Sequence, residues 1–518
     1  MKKIEAVLRW TGRTLLVLLA ILALFILEEN LRGRIMLSRY KAELRAKGEK
    51  LTLAELNLPE VPKEGNGAAE LLAAMDELTS LSKQNPSEAF GLLGWQFTEP
   101  GCVRVMVRQD KLEDRRWPVS EAWVSRRPPR GRREPDDGFT NSLPSTAKMA
   151  DWSELAAVLT SARASLDQIK AATQEPSLAV VIKYGPLYEM RTAHAGRFRS
   201  AAQWLAADAV LALHEGQFDD ARRSVEAIRR IARALQSDRL TLSQVISARS
   251  GEFGLRVTWE ALHTDGWTDA TLAKWQQLWQ GDDGLAGIVA SAEVERVLVL
   301  QEWAKVARWP SLKELQDGNW GLDGMSVWEA THETARGLLW HSAFLSQDEL
   351  RLLESWQRQL EVVRAARDTH SRTTAHASLV KLDSMQLQQW RRYDSWRYLL
   401  SNAFGPMALD GSLRIQMRFE TQRQMTLAAI ALKRYELAHS HFPGSLQELV
   451  PQYLSELPRD YMDGKPLRYR RANESFALYS VGDDGTDDGG DPTSQPPRKV
   501  LYSIWDGRDA VWPQAASE

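Results

Sequence analysis

Residues Leu15 to Leu27 read LLVLLAILALFIL, thirteen apolar residues without a break. No other stretch constrains the chain as strongly. At about 1.5 Å of rise per residue the run covers about 20 Å, short of a ~30 Å hydrocarbon core. Trp10 to Gly12 can lengthen it, with Trp10 at the interface and Arg13 reaching back to headgroups. A cleaved signal peptide needs small residues where the run ends, whereas this one ends Phe25-Ile26-Leu27-Glu28. The expectation is an uncleaved signal anchor, preferred to a signal peptide and to a buried soluble helix. Lys2, Lys3, Arg9 and Arg13 precede the run and Glu28 and Glu29 follow it. The N-terminus is therefore expected in the cytoplasm and the bulk outside the inner membrane, crossed by residues 14–27.

A chain of 518 residues exceeds one ordinary domain, and two or three are expected. With 43% hydrophobic and 26% charged residues it reads as globular. A formal net charge of -2 gives no reason to expect nucleic acid as a partner. The single cysteine, Cys102, excludes an internal disulfide and any Cys-based metal cage. Twenty tryptophans is a high count. Trp204, Trp259, Trp267, Trp275 and Trp279 fall in helical contexts and are expected to fill seams between helices.

The pattern divides into residues 1–47 (anchor and juxtamembrane helix), 48–145 (a mixed region), 146–404 (a helical domain) and 405–518 (a small α+β module). In the mixed region, Cys102 to Arg108 alternates like a strand or a packed extended segment. Arg126 to Arg133 is a basic Pro/Gly loop, either solvated or touching anionic lipid. Helical periodicity begins at Trp152–Thr173 and Ser200–Leu235. Gly216, Phe218 and Ala221 mark a hinge like that of a tetratricopeptide hairpin, the glycine admitting close helix approach. A second copy is missing, so an antiparallel pair within a bundle is expected. Further helices are expected at 243–263, 269–280, 286–306, 325–344, 348–367 and 377–402, with Thr268 as a cap.

Catalytic motifs are scarce. His332-Glu333 lacks the second histidine of a zincin, and His370 and His376 are six apart, which suits no helical ligand pair. Glu293 and Glu295 fall on different helix faces. No nucleophile elbow, Walker loop or dinucleotide fingerprint occurs.

From Leu413 the pattern changes to one long helix, expected over Leu413 to His439 and stopped by Pro443. A capping box, Ser445 to Glu448, then opens a short helix. A strand over 464–471 and another over 475–481 follow as a hairpin. The Asp/Gly loop 482–491 comes last. This order resembles the C-terminal part of the major pseudopilin of type II secretion systems. The matching positions are Ala431–Tyr435, Phe442-Pro443, Leu446–Leu457, then Asp460 with Gly464, Pro466, Leu467 and Tyr469, and finally Tyr479–Gly482. The whole layout resembles uncharacterised membrane-anchored proteins from planctomycete and verrucomicrobial lineages.

The resemblance implies calcium held by Asp483, Asp484, Asp487, Asp488 and Asp491, with Asp506 or Asp509 returning from the tail. Calcium prefers six to eight oxygens, which such a loop can supply, although the loop is not an EF-hand; the alternative is a solvated turn. His439 and His441 are expected to cap the helix end. The chain departs from the family at its start, where no prepilin-peptidase signature precedes the apolar run. The expectation is a mainly α protein: a transmembrane helix, an antiparallel helical-bundle body and a pseudopilin-like module. Its expected role is a non-catalytic binding or scaffold protein of the cell envelope with a protein partner. The alternative is an extracytoplasmic enzyme with its site in the helical body.

Overall fold

A computed structural model describes residues 2–84, 152–184, 192–281, 284–306, 337–390, 397–398, 401, 409–472, 475–493 and 504–512. The expected strand at 102–108, the basic loop at 126–133, His332-Glu333 and most of the helix expected at 325–344 lie outside them. Among the described residues the chain is mainly helical, with one small antiparallel sheet.

Helix α1 (Lys2–Ala46) is a single uninterrupted rod. Its most apolar 18-residue window has a mean hydropathy of 2.2 and none of it is covered by protein. Beyond the apolar run one face turns inward: Glu29, Gly33, Leu37 and Leu44 are buried at helical spacing. They pack on a π-turn (Trp340–Phe344) and on α10 (Leu345–Thr369), which continues from it. Asn30 Nδ2 donates to the Ser342 carbonyl (2.7 Å), and Gln347 Nε2 to Glu29 Oε2 (2.6 Å). Trp303, Trp340, Phe344 and Trp356 form an aromatic cluster against Ile26, at the end of the apolar run.

Just past α1 a buried charge cluster fixes the rod. Glu49 accepts from Arg296 Nη2 (3.0 Å), Gln357 Nε2 (2.9 Å) and Arg364. Arg364 also donates to Glu293 (2.6 Å). Burial alone would raise the Glu49 carboxyl; the Arg364 and Gln357 hydrogen bonds and the arginine charges outweigh it and hold it at about 2.

The body continues with α2 (Ala68–Gln84), α3 (Trp152–Ser161), α4 (Arg163–Ala172), α5 (Ala193–His214), α6 (Phe218–Gln236), α7 (Thr241–Leu262), α8 (Asp269–Leu278) and α9 (Gly284–Val306). After α10 come α11 (Arg372–Trp390) and α12 (Leu409–His439). Ala201 to Leu213 of α5 are all buried, so α5 is a central helix rather than an amphipathic one. The α5–α6 hairpin forms as the sequence predicts, but Gly216 acts differently. Its φ is +75° and a Cβ there would meet open space. The residue supplies a left-handed turn, not room for close packing. Close approach occurs instead at Gly251 of α7, where a Cβ would lie 2.6 Å from the Phe419 ring of α12.

The five tryptophans singled out above are buried in the core. Thr268 caps α8 by accepting from the Thr271 amide (3.2 Å). Glu293 and Glu295 diverge, the first to Arg364 and the second to Thr241. His439 Nδ1 donates to the Tyr435 carbonyl (2.9 Å), as a capping residue would, whereas His441 Nδ1 donates to the Phe442 carbonyl (2.9 Å) beyond the helix.

At the C-terminal end, α12 leads past the capping box into one 3-10 turn, Leu446–Leu449, shorter than the helix expected from sequence because Pro451 follows at once. Strand β1 (Arg468–Ala472) pairs antiparallel with β2 (Ser475–Ser480), Tyr469 opposite Leu478. A third strand that the sequence did not announce, β3 (Ala510–Trp512), adds to β2. Buried Asp460 ties the preceding turn to the sheet. It accepts from the amides of Met462 and Val481 (both 2.9 Å), from Ser480 Oγ (2.8 Å) and from Arg468 (3.1 Å). One hydrophobic cluster runs from Ala68 to Trp512, so body and C-terminal module share a core.

Candidate functional site

A cleft beside α6 arises from the charge pattern of that helix. Ala221, Val225, Ile228 and Leu235 face the core, which leaves Arg222, Glu226, Arg230 and Arg233 along one side. With Arg229 they form one wall of a cleft of about 1130 Å³. Pro59–Pro62, eight successive residues from Glu175 to Ile182, and Lys274, Gln277 and Leu278 complete it. Arg229 lies beneath the wall, its Nε donating to the Leu278 carbonyl (3.1 Å) and its guanidinium 4.7 Å from the Trp279 ring centre. Burial, with Arg233 and Arg423 nearby, pulls it down to about 9. Burial likewise lowers Arg233, helped by Arg230 and Arg423. Glu226 lies between Arg222 (3.3 Å) and Arg230 (3.5 Å). The cleft is thus polar and cation-bearing but internally balanced.

Asp238 and Tyr184 stand at one end. His194 Nε2 lies 2.8 Å from Asp238 Oδ2, and Ser243 Oγ donates to the same oxygen (2.6 Å). Tyr184 donates to the Asp238 carbonyl (2.8 Å), and burial followed by the Asp238 charge pushes its hydroxyl up to about 12. An aspartate that orients an imidazole is half of a general-base arrangement. Ser243 bonds Asp238 rather than His194, so these three residues lack a nucleophile–base contact. Sequence reading missed this group because positions 194, 238 and 243 match no motif spacing; they meet where the start of α5 packs on the α6–α7 link and the first turn of α7.

The acidic loop is described through Thr493. Asp483 is ion-paired with Arg418 of α12, and its carbonyl accepts from Arg372 of α11 (2.8 Å). Asp487 faces Arg468 (3.3 Å), while Asp488 and Asp491 lie 3.8 Å from Arg508. Asp484 accepts from the Thr486 amide (2.9 Å) in a local turn. Asp509 does return from the tail, and its Oδ2 accepts from the amides of Asp488 (3.1 Å), Gly490 (2.7 Å) and Asp491 (3.1 Å). The five aspartates are near in sequence but turn to different partners, with only Asp488 and Asp491 sharing Arg508. Among the described residues no three His, Cys, Asp or Glu side chains converge as a cation would need. In this arrangement Asp483 and Asp487 are turned to Arg418 and Arg468, while Asp509 Oδ1 is buried without a hydrogen-bond partner.

No family model, curated protein or solved structure matches the chain. Function is therefore read from geometry alone.

Proposed function

We propose that this protein is a single-span, membrane-anchored binding protein of the bacterial cell envelope. The N-terminus would lie in the cytoplasm, and the helical body outside, held rigidly at the membrane surface. The observation that carries this reading is the two-part nature of α1. Its apolar half is uncovered, whereas its second half is buried against α10 and fastened by Glu29 and Glu49. A cleaved leader has no use for a continuous helix built into the core of the mature protein. Ligand binding is assigned to the α6 cleft, whose volume and mixed lining suit a small molecule or a short peptide.

The antiparallel helical bundle and the pseudopilin-like module belong to the same proposal. The long α12, the capping box and the β1–β2 hairpin support that likeness. Docked into the common core, the module serves as a fixed part of the body. Orientation is tested with Thr52→Cys in a Cys102→Ala background. A membrane-impermeant maleimide should label it in intact spheroplasts; labelling only after lysis would reverse the topology.

A second reading, an extracytoplasmic enzyme, is favoured by His194 and Asp238 beside the cleft. It requires that His194→Ala abolish a turnover detectable in wild type against ester, amide or glycoside model substrates. If no such turnover exists, the binding reading stands alone.

A further inference from the structure

The outward face of α1 does not stop being apolar where the span ends. Opposite the buried Gly33 and Leu37, residues Leu24, Leu27, Leu31 and Ile35 follow one another at three- and four-residue spacing. Leu31 and Ile35 are each 50% exposed although they lie past Glu28 and Glu29. Met36, beside them, is exposed to a similar degree. Arg32 and Arg39 flank this row on one side and Arg34 on the other, all exposed; Arg32 is paired with Glu29 (2.6 Å) and lies 4.0 Å from exposed Glu28, so Arg34 and Arg39 are the cations turned outward. The inward face is different: it turns polar at Glu29 and Asn30 and is covered by protein.

We propose, resting on the reading of α1 as a span, that this outward face is seated in the anionic headgroup layer of the bilayer that α1 crosses. Charge and shape choose the occupant. A parallel second copy would bring the Arg32/Arg39 flank of one helix against the Arg34 flank of the other, which repels. An anionic lipid surface meets apolar and basic groups with what each requires. Thr14 to Ile35 extends about 33 Å, slightly more than a ~30 Å hydrocarbon core, so a tilted helix accommodates it. Tilt toward the row lowers Leu31 and Ile35 into the interface and leaves the body on the upper side of α1. The Trp303–Trp340–Trp356 cluster, buried in protein against Ile26, then lies level with the membrane edge.

The test uses the full chain, with Cys102→Ala, in nanodiscs of phosphatidylglycerol or of phosphatidylcholine. A nitroxide is placed singly at Leu24, Ile35 or Thr52, and its access to oxygen and to a soluble nickel chelate is measured. In phosphatidylglycerol, Leu24 should read as deep, Ile35 as headgroup level and Thr52 as aqueous. Arg34→Gln with Arg39→Gln, or the phosphatidylcholine disc, should move Ile35 outward and leave Leu24 unchanged. Ile35 fully aqueous while Leu24 is deep overturns the proposal and spares the span. Equal depth of Ile35 in both lipids overturns the anionic part, and spin–spin broadening at Ile35 assigns the face to a second copy instead. Leu24 in water would sink the span itself.

Discussion

Replacing Glu49 by alanine is expected to loosen the joint between α1 and the body. The side chain of Arg296 is 1% exposed, and Glu49 is its carboxylate partner at 3.0 Å. After the substitution Arg296 would keep Gln357 and the Lys50 carbonyl, neither of which carries charge. Arg364 would keep Glu293. Breaking a buried pair from one side costs about 3–5 kcal/mol, because the remaining charge is left uncompensated. Partial exposure of Arg364 and its second partner place the expectation near the lower end, at about 3 kcal/mol. Glu49→Gln keeps the size of the side chain but sets an amide NH2 against donors from Arg296, Arg364 or Gln357, so it should not restore wild-type protection.

The pH dependence has a defined sign. The Glu49 carboxyl is held at about 2 against 4.5 when free, so its contribution is complete above about pH 4.5 and disappears as pH falls toward 2. The assay is hydrogen exchange over residues 40–56 in detergent-solubilised protein, since a chain with many elements need not unfold in one step. Protection in Glu49→Ala within about 0.5 kcal/mol of wild type would refute the argument.

Other consequences are smaller. Calcium at millimolar concentration should leave the melting temperature of the full chain unchanged, because arginines already face the loop; a clear rise would show that the aspartates regroup around an ion. Asp460→Ala would strip the acceptor from two buried amides and Ser480, costing about 2–4 kcal/mol, read as lost exchange protection in β2. Gly216→Ala must adopt a left-handed backbone at φ +75° and should lower stability by about 1 kcal/mol; a neutral result would mean the hinge relaxes.

Much of the architecture follows from periodicity that a reader can see in the chain. The long apolar helix α1, the α5–α6 hairpin, the Thr268 cap and the Ser445 capping box are local features, and each appears where local chemistry puts it. Non-local pairings were not legible. Strand β3 is three residues long and carries no alternation, so only its partner β2 defines it. The Glu49–Arg296–Arg364 cluster joins residues hundreds of positions apart, and individually they read as surface charges. The α6 cleft was not legible, because its wall opposite α6, Glu175–Ile182, has no pattern to announce it. Equally, aspartates adjacent in sequence suggested a common ligand, and nothing in the sequence announced that Asp483 and Asp487 would pair with Arg418 of α12 and Arg468 of β1.

Washing membranes that contain the full-length protein with alkaline carbonate addresses the anchor directly. The protein should stay in the pellet, release only with detergent, and retain its N-terminal peptide by mass spectrometry. Recovery in the wash, or a mature chain beginning after Leu27, would contradict a permanent transmembrane α1.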